Sequence, residues 1–451
     1  MRQISLILIA GFIFLFSFEP TINDREIYRS LILLFTAAST VTPSVLLYLL
    51  GRFTTKTLAS NSADFLHRRF RINQAAIGFD LLGIAGFVCN VYILNFPVLV
   101  HQTLHFVNLP RIRHAFSILP LIAGLMLIRL ALYEIDRSAR RSTAKRLEFL
   151  SVHFKFLIFP LLPLLIYFIL LDLIDGFPET ERFFVEHTYL FLALMALLVL
   201  LMYIYAPLLV SRIGKMLPLA DMSLKEKISR LAVQGKIRYK KIVVWQTGSL
   251  SIANAAVAGI VRWSRQIFLT DALLTHFSDD EIETIVAHEF GHVRYNHIPT
   301  YFIFSMTYFL GYAIFSIYVG GPILSLLPES AILTSIEAIV FLFLYFVLLF
   351  GYLSRRFEHQ ADLYAVELTG NPEAFKSALC RLSRLNFIPY SIQRVFEIFH
   401  THPSIHRRIE LIDRYEEKDS RSLRYQGYLV EVKILFVLLP VLMFILLLYG
   451  W

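Results

Sequence analysis

Within TIVAHEFGHVRYNHIPTYFIFSM (284–306), His288, Glu289 and His292 stand in the order HEFGH. On a helix, residues i and i+4 share one face, so two imidazoles at 288 and 292 can reach one cation. Glu289 projects about 100° round from His288, close enough to serve a water beside that cation without displacing it. A zinc ion held this way acidifies water and polarises a carbonyl, while the glutamate accepts the proton and returns it to a leaving amine. The same letters also arise by chance on a solvated amphipathic helix. A third ligand is therefore the test.

The stretch SRRFEHQADLYAVELTG (354–370) offers one. Glu358 and Asp362 share a helical face at i, i+4. Glu358 can complete a His2Glu set with a fourth position left for water. Asp362, one turn on, can hold a ligand imidazole by its free ring N–H. Alone, ExxxD also reads as an ordinary surface helix. His297 extends the first motif to HExxHxxxxH, but Glu358 is the better third ligand, and His297 is read as structural.

With these residues in place the chain resembles a known family. The integral-membrane zinc proteases that include the type I CAAX prenyl proteases and the bacterial HtpX heat-shock proteases share four elements in order. This chain has NAAVAG (254–259), IFLTDALLTHFSDDEIETIVAHEFGH (267–292), FEHQAD (357–362) and HPSIHRRI (402–409). The resemblance covers roughly residues 215 to 415. It implies that Glu358 is the third metal ligand and that Asn254, with Ala255, lies on an edge strand that binds substrate backbone. It also implies that His402 and Arg408 face the active site and support the oxyanion or its surroundings. Two departures bear on substrate. Prenyl proteases usually carry Trp just after the second histidine, where this chain has Val293. The expected span count also exceeds that of either subfamily.

These residues must be positioned by a chain of unusual composition. Of 451 residues, 57% are hydrophobic and 17% charged, more apolar surface than a soluble domain can hide. The net charge of +9 fits basic cytoplasmic loops, and no nucleic-acid motif accompanies it. Two cysteines, Cys89 and Cys380, make neither a disulfide framework nor a Cys-based zinc site. The stretch MRQISLILIAGFIFLFSF resembles a signal peptide but lacks a small-x-small cleavage site, and is read as a short uncleaved span.

Apolar runs long enough to cross a bilayer occur near 4–18, 29–50, 75–100, 116–134, 155–174, 188–212, 299–327, 333–354 and 431–450. Basic loops at 51–74 and 135–155 alternate with weakly basic or acidic ones at 101–115 and 172–187. This places the N-terminus inside and the C-terminus outside. The polar segments 213–298 and 355–430 then share the cytoplasmic side and must form one split domain, since neither alone has enough core. In it, KKIVVW (240–245) and RQIFLTDALL (265–274) read as strands leading into a helix. Residues 278–294 read as a helix with a Ser278/Glu281 capping box. The short distances from His292 to the span at 299, and from Leu353 to Glu358, place the metal near the cytoplasmic bilayer surface, with a break at Pro299. Asp80 and Arg129 lie at matching depth in two spans. They form an ion pair, or Arg129 snorkels while Asp80 faces a polar cavity.

The expected fold is a mainly α membrane protein of about nine transmembrane helices with a split cytoplasmic α+β, zincin-like (gluzincin) catalytic domain. In chain order come a membrane region (1–212), the HExxH-bearing catalytic segment (213–298), two spans (299–354), the catalytic segment with the third ligand and the HP motif (355–430), and a last span (431–451). The expected function is a zinc metalloendopeptidase with one Zn2+ per chain on His288, His292 and Glu358, and with Glu289 as base. Expected partners are peptide or membrane-protein substrates and lipids, with no nucleic acid, in a bacterial inner membrane. Membrane-protein quality control or processing is the leading role and CAAX-type prenyl-peptide cleavage the alternative. A non-catalytic scaffold or sensor has no need of an intact glutamate and three ligands. A transporter is the other rival, given so many spans, but no pair of broken helices or inverted repeat stands out in the sequence.

Overall fold

The computed structural model describes residues 2–18, 29–57, 63–105, 109–140, 143–158, 161–214, 216–248, 252–328 and 330–417, with isolated positions 438 and 442. The chain divides into two compact units, residues 1–199 with 327–339, and residues 200–326 with 340–451.

The first unit is helical. Its interior is built from apolar side chains such as Leu8, Leu15, Phe87, Val91, Leu121 and Leu125. Close approach of its helices depends on small residues. A Cβ on Gly86 or Gly124 would meet backbone atoms of Ser39 or Thr40 at 3.4 Å. Asp80 and Arg129 are joined as an ion pair within the apolar helices, with Asp80 buried. Among the described residues, five helices are long and apolar enough to cross a membrane: Arg29–Gly51, Pro110–Arg137, Ala193–Arg212, His297–Leu324 and Ala331–Thr369. A sixth forms if Ala76–Tyr92 and Phe96–Thr103, bent by 65°, count as one span. The bend follows Asn95, whose φ of 53° breaks the helical path.

Three of the nine expected spans take another form or fall elsewhere. Ile7–Phe16 is a shorter apolar helix. The run at 155–174 is shared by two helices, Arg146–Ile158 and Leu162–Asp175, and Pro163 opens the second, where its missing N–H costs nothing. Of the run at 431–450 all but positions 438 and 442 lies outside the described residues. The protein is a mostly helical integral membrane protein with several apolar helices and one small sheet.

In the second unit, four strands form one sheet: β1 (Leu217–Pro218), β2 (Lys241–Trp245), β3 (Ala255–Ala258) and β4 (Gln266–Thr270). The order is β1-β2-β4-β3, with β2 and β4 parallel and both outer pairings antiparallel. β4 is buried at every position, as a central strand covered on both faces must be. β3 is an edge. The helices that matter are α1 (Met222–Gln234), α2 (Asp271–His276), α3 (Asp279–Arg294), α4 (His297–Leu324), α5 (Ala331–Thr369), α6 (Pro372–Asn386), α7 (Arg394–Glu397) and α8 (Ile405–Glu416).

One hydrophobic core joins residues from both sides of the α4–α5 hairpin. Ile228, Ile267, Leu273, Val286, Ala287 and Phe290 pack in the same cluster as Ala365, Phe375, Ala378 and Ile412. α5 has 39 residues, about 58 Å of helix, roughly twice the hydrocarbon thickness of a bilayer. A helix of that length carries its last turns clear of the apolar layer. α4 begins five residues after His292, directly behind Asn296, which adopts φ 55°. The break expected at Pro299 thus falls three residues earlier.

Candidate active site

α3 starts with both halves of a capping box. The Glu281 N–H donates to Ser278 Oγ at 3.3 Å, and the Ser278 N–H donates to Glu281 Oε2 at 2.9 Å. Glu281 Oε1 then accepts from Ser377 Oγ on α6 at 2.7 Å, which ties the start of the helix to the second half of the core. Nearly three turns beyond Glu281, Gly291 faces Ala361 of α5. A Cβ on Gly291 would lie 2.8 Å from Ala361 Cα, so glycine sets how close α3 and α5 come. That closeness brings the chemistry together.

The ligand atoms of His288, His292 and Glu358 all lie within 4.8 Å of one another. His288 Nε2 and His292 Nε2 are 3.3 Å apart, and each is 3.5 Å from a Glu358 oxygen. Each imidazole is fixed through its other nitrogen. His288 Nδ1 lies 2.8 Å from Asp362 Oδ1. His292 Nδ1 lies 2.8 Å from His297 Nδ1, and His297 Nε2 lies 3.0 Å from Gln360 Oε1. A carboxylate and an amide oxygen can only accept. The protons therefore run His288 Nδ1–H to Asp362, and His292 Nδ1–H to His297, whose Nε2–H donates to Gln360. On the neutral rings both Nε2 lone pairs face Glu358, and on His288 a second proton held there must leave before a cation can bind.

Two neutral imidazoles and a carboxylate form a donor set suited to zinc. Glu358 Oε2 is buried and, although 2.8 Å from His402 Nδ1, engages no hydrogen bond of good geometry. An electron pair in a buried site is thereby left for a cation, so the residues fit the ion.

Glu289 is half-buried beside this cluster, and the Val257 N–H of β3 points at its Oε2 from 3.4 Å. Since neighbouring residues of a strand face opposite edges, 255 and 257 present their N–H and C=O groups away from β4. Positions 254, 256 and 258 face β4, and Asn254 indeed accepts from the Thr270 N–H at 3.1 Å and donates its own N–H to Thr270 Oγ1 at 2.9 Å. The open edge of β3, through Ala255 and Val257, lies next to the glutamate. Asn254 contributes an exposed side chain at its start.

The HP segment supplies the remaining side chains. Arg408 is buried and donates to both oxygens of Asp362, from Nε at 2.9 Å and Nη2 at 2.5 Å. Its charge is thus committed to the aspartate that orients His288. His402 lies 2.8 Å from Glu358 while solvent reaches most of its side chain.

Electrostatics follow from these contacts. Burial opposes charge on His288, but Asp362 and Glu358 outweigh it and push the imidazole up to about 9. Burial dominates at His292 and brings it down to about 4. The Glu289 carboxyl is raised by burial. The Glu358 charge raises His402 against the opposing effect of burial.

The sequence missed what His297 does. It is fully buried, stacks on Phe357 with centroids 4.0 Å apart and 2° between planes, and links ligand His292 to Gln360. The signal that could have found it is the place of Gln360, His297's partner, inside the FEHQAD motif.

Fold and site together bring two helical histidines, a carboxylate from a second helix and a glutamate beside a strand edge into one place. Residues 218–416 match the model of Peptidase family M48. The chain is similar to CAAX prenyl protease 1 of Saccharomyces cerevisiae, 29% identical over 282 residues, covering 56% of this chain and 60% of that protein. It is likewise similar to the CAAX prenyl protease 1 homolog of Arabidopsis thaliana, 29% identical over 51% of this chain and 56% of that one. With a protease HtpX homolog of Bacteroides fragilis it shares 27% identity over 42% of this chain and 67% of that one. The chain thus spans little more than half the length of the prenyl protease relatives it matches. In fold it resembles S. mikatae Ste24p, with a TM-score of 0.62 at 20% identity, covering 87% of this chain and all of that one.

Proposed function

We propose that the protein is a membrane-embedded zinc metalloendopeptidase that binds one Zn2+ per chain through His288, His292 and Glu358. The observation that carries this reading is the convergence of both Nε2 atoms and Glu358, with Glu289 beside an open strand edge. An ion held there supplies Lewis acidity toward the scissile carbonyl and toward water. Glu289 accepts the proton of the attacking water and returns it to the leaving nitrogen. Ala255 and Val257 pair with the substrate backbone as an added strand, and Asn254 contacts it at the start of that strand. His402 donates to the carbonyl oxygen as it gains charge, and Arg408 acts through Asp362 to hold the His288 tautomer.

Residues 213–298 and 355–430 serve in this reading as the two halves of one zincin-like domain between membrane regions 1–212, 299–354 and 431–451. Up to nine spans, N-terminus inside and C-terminus outside, place that domain on the cytoplasmic face of a bacterial inner membrane. Its substrates are membrane proteins undergoing quality control or processing. The two named prenyl protease relatives favour a second reading, cleavage of prenylated CAAX-type peptides, and Val293 is the departure that weighs against it.

The test is proteolysis by the detergent-purified protein, wild type beside Glu289→Gln, on a model membrane protein and on prenylated and unmodified forms of one peptide. Cleavage by the wild type and none by the variant is expected. Equal cleavage by both defeats the mechanism. A requirement for the prenyl group moves the assignment to the second reading.

A further inference from the structure

Between α6 and α8 the chain makes a segment, residues 387–404, most of which the reaction does not use. It carries large apolar side chains on the outside: Ile388 is 43% exposed, Tyr390 48%, Phe396 54% and Phe399 41%. Four large apolar groups so exposed within residues 388–399 are more than a soluble surface ordinarily shows in so short a stretch. The segment is nonetheless firmly held. Arg355 Nη1 donates to the carbonyl oxygens of Glu397, Ile398 and His400 at 3.2, 3.3 and 2.8 Å. Glu397 is buried, accepts the Ser404 N–H at 2.8 Å and pairs with Arg407. The anchors hold the backbone in place and turn the apolar groups outward.

What covers them is indicated by where the segment reaches. The Phe399 ring lies 6.3 Å from that of Phe343, on the membrane helix α5. Phe343 precedes Arg355 by twelve residues, about 18 Å along the helix toward its apolar part, and is itself 44% exposed. Starting from the clamp at Arg355, the segment therefore brings Phe399 alongside the exposed side of a span. Its polar members, Ser391, Gln393 and Arg394, are exposed as well, so the stretch is amphipathic, as interfacial elements are.

We propose that residues 388–399 form a wedge that enters the bilayer, with Ile388, Tyr390, Phe396 and Phe399 among lipid acyl chains and Arg394 at headgroup level. The wedge leads directly into the turn that carries His402, so its lipid contacts also brace one side of the active site. This inference rests on the membrane character of the chain and stands whether or not the protein is a protease.

The test uses the full chain in phosphatidylcholine vesicles with and without bromine high on the acyl chains. Phe396→Trp, read against the wild type to subtract its own tryptophans, reports the depth of the wedge. Insertion of roughly 5–10 Å puts the new indole beside the bromines, so its added emission is blue-shifted, falls about twofold in brominated vesicles and resists aqueous iodide. Quenching by iodide, or by neither agent, overturns the proposal. Ile388→Trp reads the same wedge independently should Phe396→Trp fail to fold.

Discussion

Replacing His297 by Phe separates the role of its hydrogen bonds from that of its bulk. Phenylalanine keeps a flat ring over Phe357, where the two rings now lie 4.0 Å apart and nearly parallel. It removes the acceptor for the His292 Nδ1–H and the donor to Gln360. With metal on His292 Nε2, that Nδ1–H is left unpaired in a buried site, which costs roughly 1–3 kcal/mol. Loss of such an outer partner typically weakens metal binding tenfold to a hundredfold, about 1.4–2.7 kcal/mol, so the two lines of reasoning agree. The assay is competition for zinc against a chromophoric chelator, with the thermal melt of the metal-free protein run in parallel. Expected is a drop in affinity within that range and a melt that stays cooperative. Gln360→Met, which leaves the His292–His297 bond in place, weakens zinc less than His297→Phe does. Affinity within about twofold of wild type in His297→Phe would refute the tautomer chain and reduce His297 to packing.

Metal uptake must displace the proton that Asp362 and Glu358 hold on His288 up to about 9. Apparent zinc affinity therefore rises with pH between 7 and 9, by at most about tenfold per unit, and flattens above, with close to one proton released per ion at pH 7. Calorimetry in buffers of different ionisation enthalpy reads that proton, and its absence contradicts the assigned His288–Asp362 contact. Gly291→Ala gains at most about 1 kcal/mol of helix propensity but drives a Cβ to 2.8 Å from Ala361, an overpacking cost of about 1–3 kcal/mol. A lower melting temperature and weaker zinc binding are expected, and an unchanged melt would show that α3 and α5 separate freely. Ser278→Ala removes one half of the capping box and destabilises by about 1 kcal/mol, seen as a lower melting temperature with zinc affinity unchanged.

What was legible in the sequence was what is local. The i, i+4 spacing of His288 and His292, the Glu358–Asp362 pair and the Ser278/Glu281 box are each written within one or two turns of helix. The strands at 241–245 and 266–270 showed in β-branched and apolar runs. β3 did not, because AAVA is short and alanine-rich. Its edge position was expected from resemblance, and its parity, with 255 and 257 turned outward, emerged only from pairing with β4. The His297–Gln360 bond joins residues 63 apart and Arg408–Asp362 residues 46 apart. Neither is encoded by any local pattern, and Gly291 reads as a mild helix weakness until Ala361 is seen against it. Hydropathy found the apolar runs but not how the helices divide at 155–174, where the two helices keep the apolar composition and change only the path.

Whether His288, His292 and Glu358 hold zinc is decided most directly by the metal content of the purified protein. Plasma mass spectrometry reads it for wild type, Glu289→Gln and His292→Ala. Close to one zinc per chain is expected in the wild type and in Glu289→Gln, and little in His292→Ala. Absence of zinc from the wild type after zinc-replete purification, or an equal amount in His292→Ala, would contradict the zinc site.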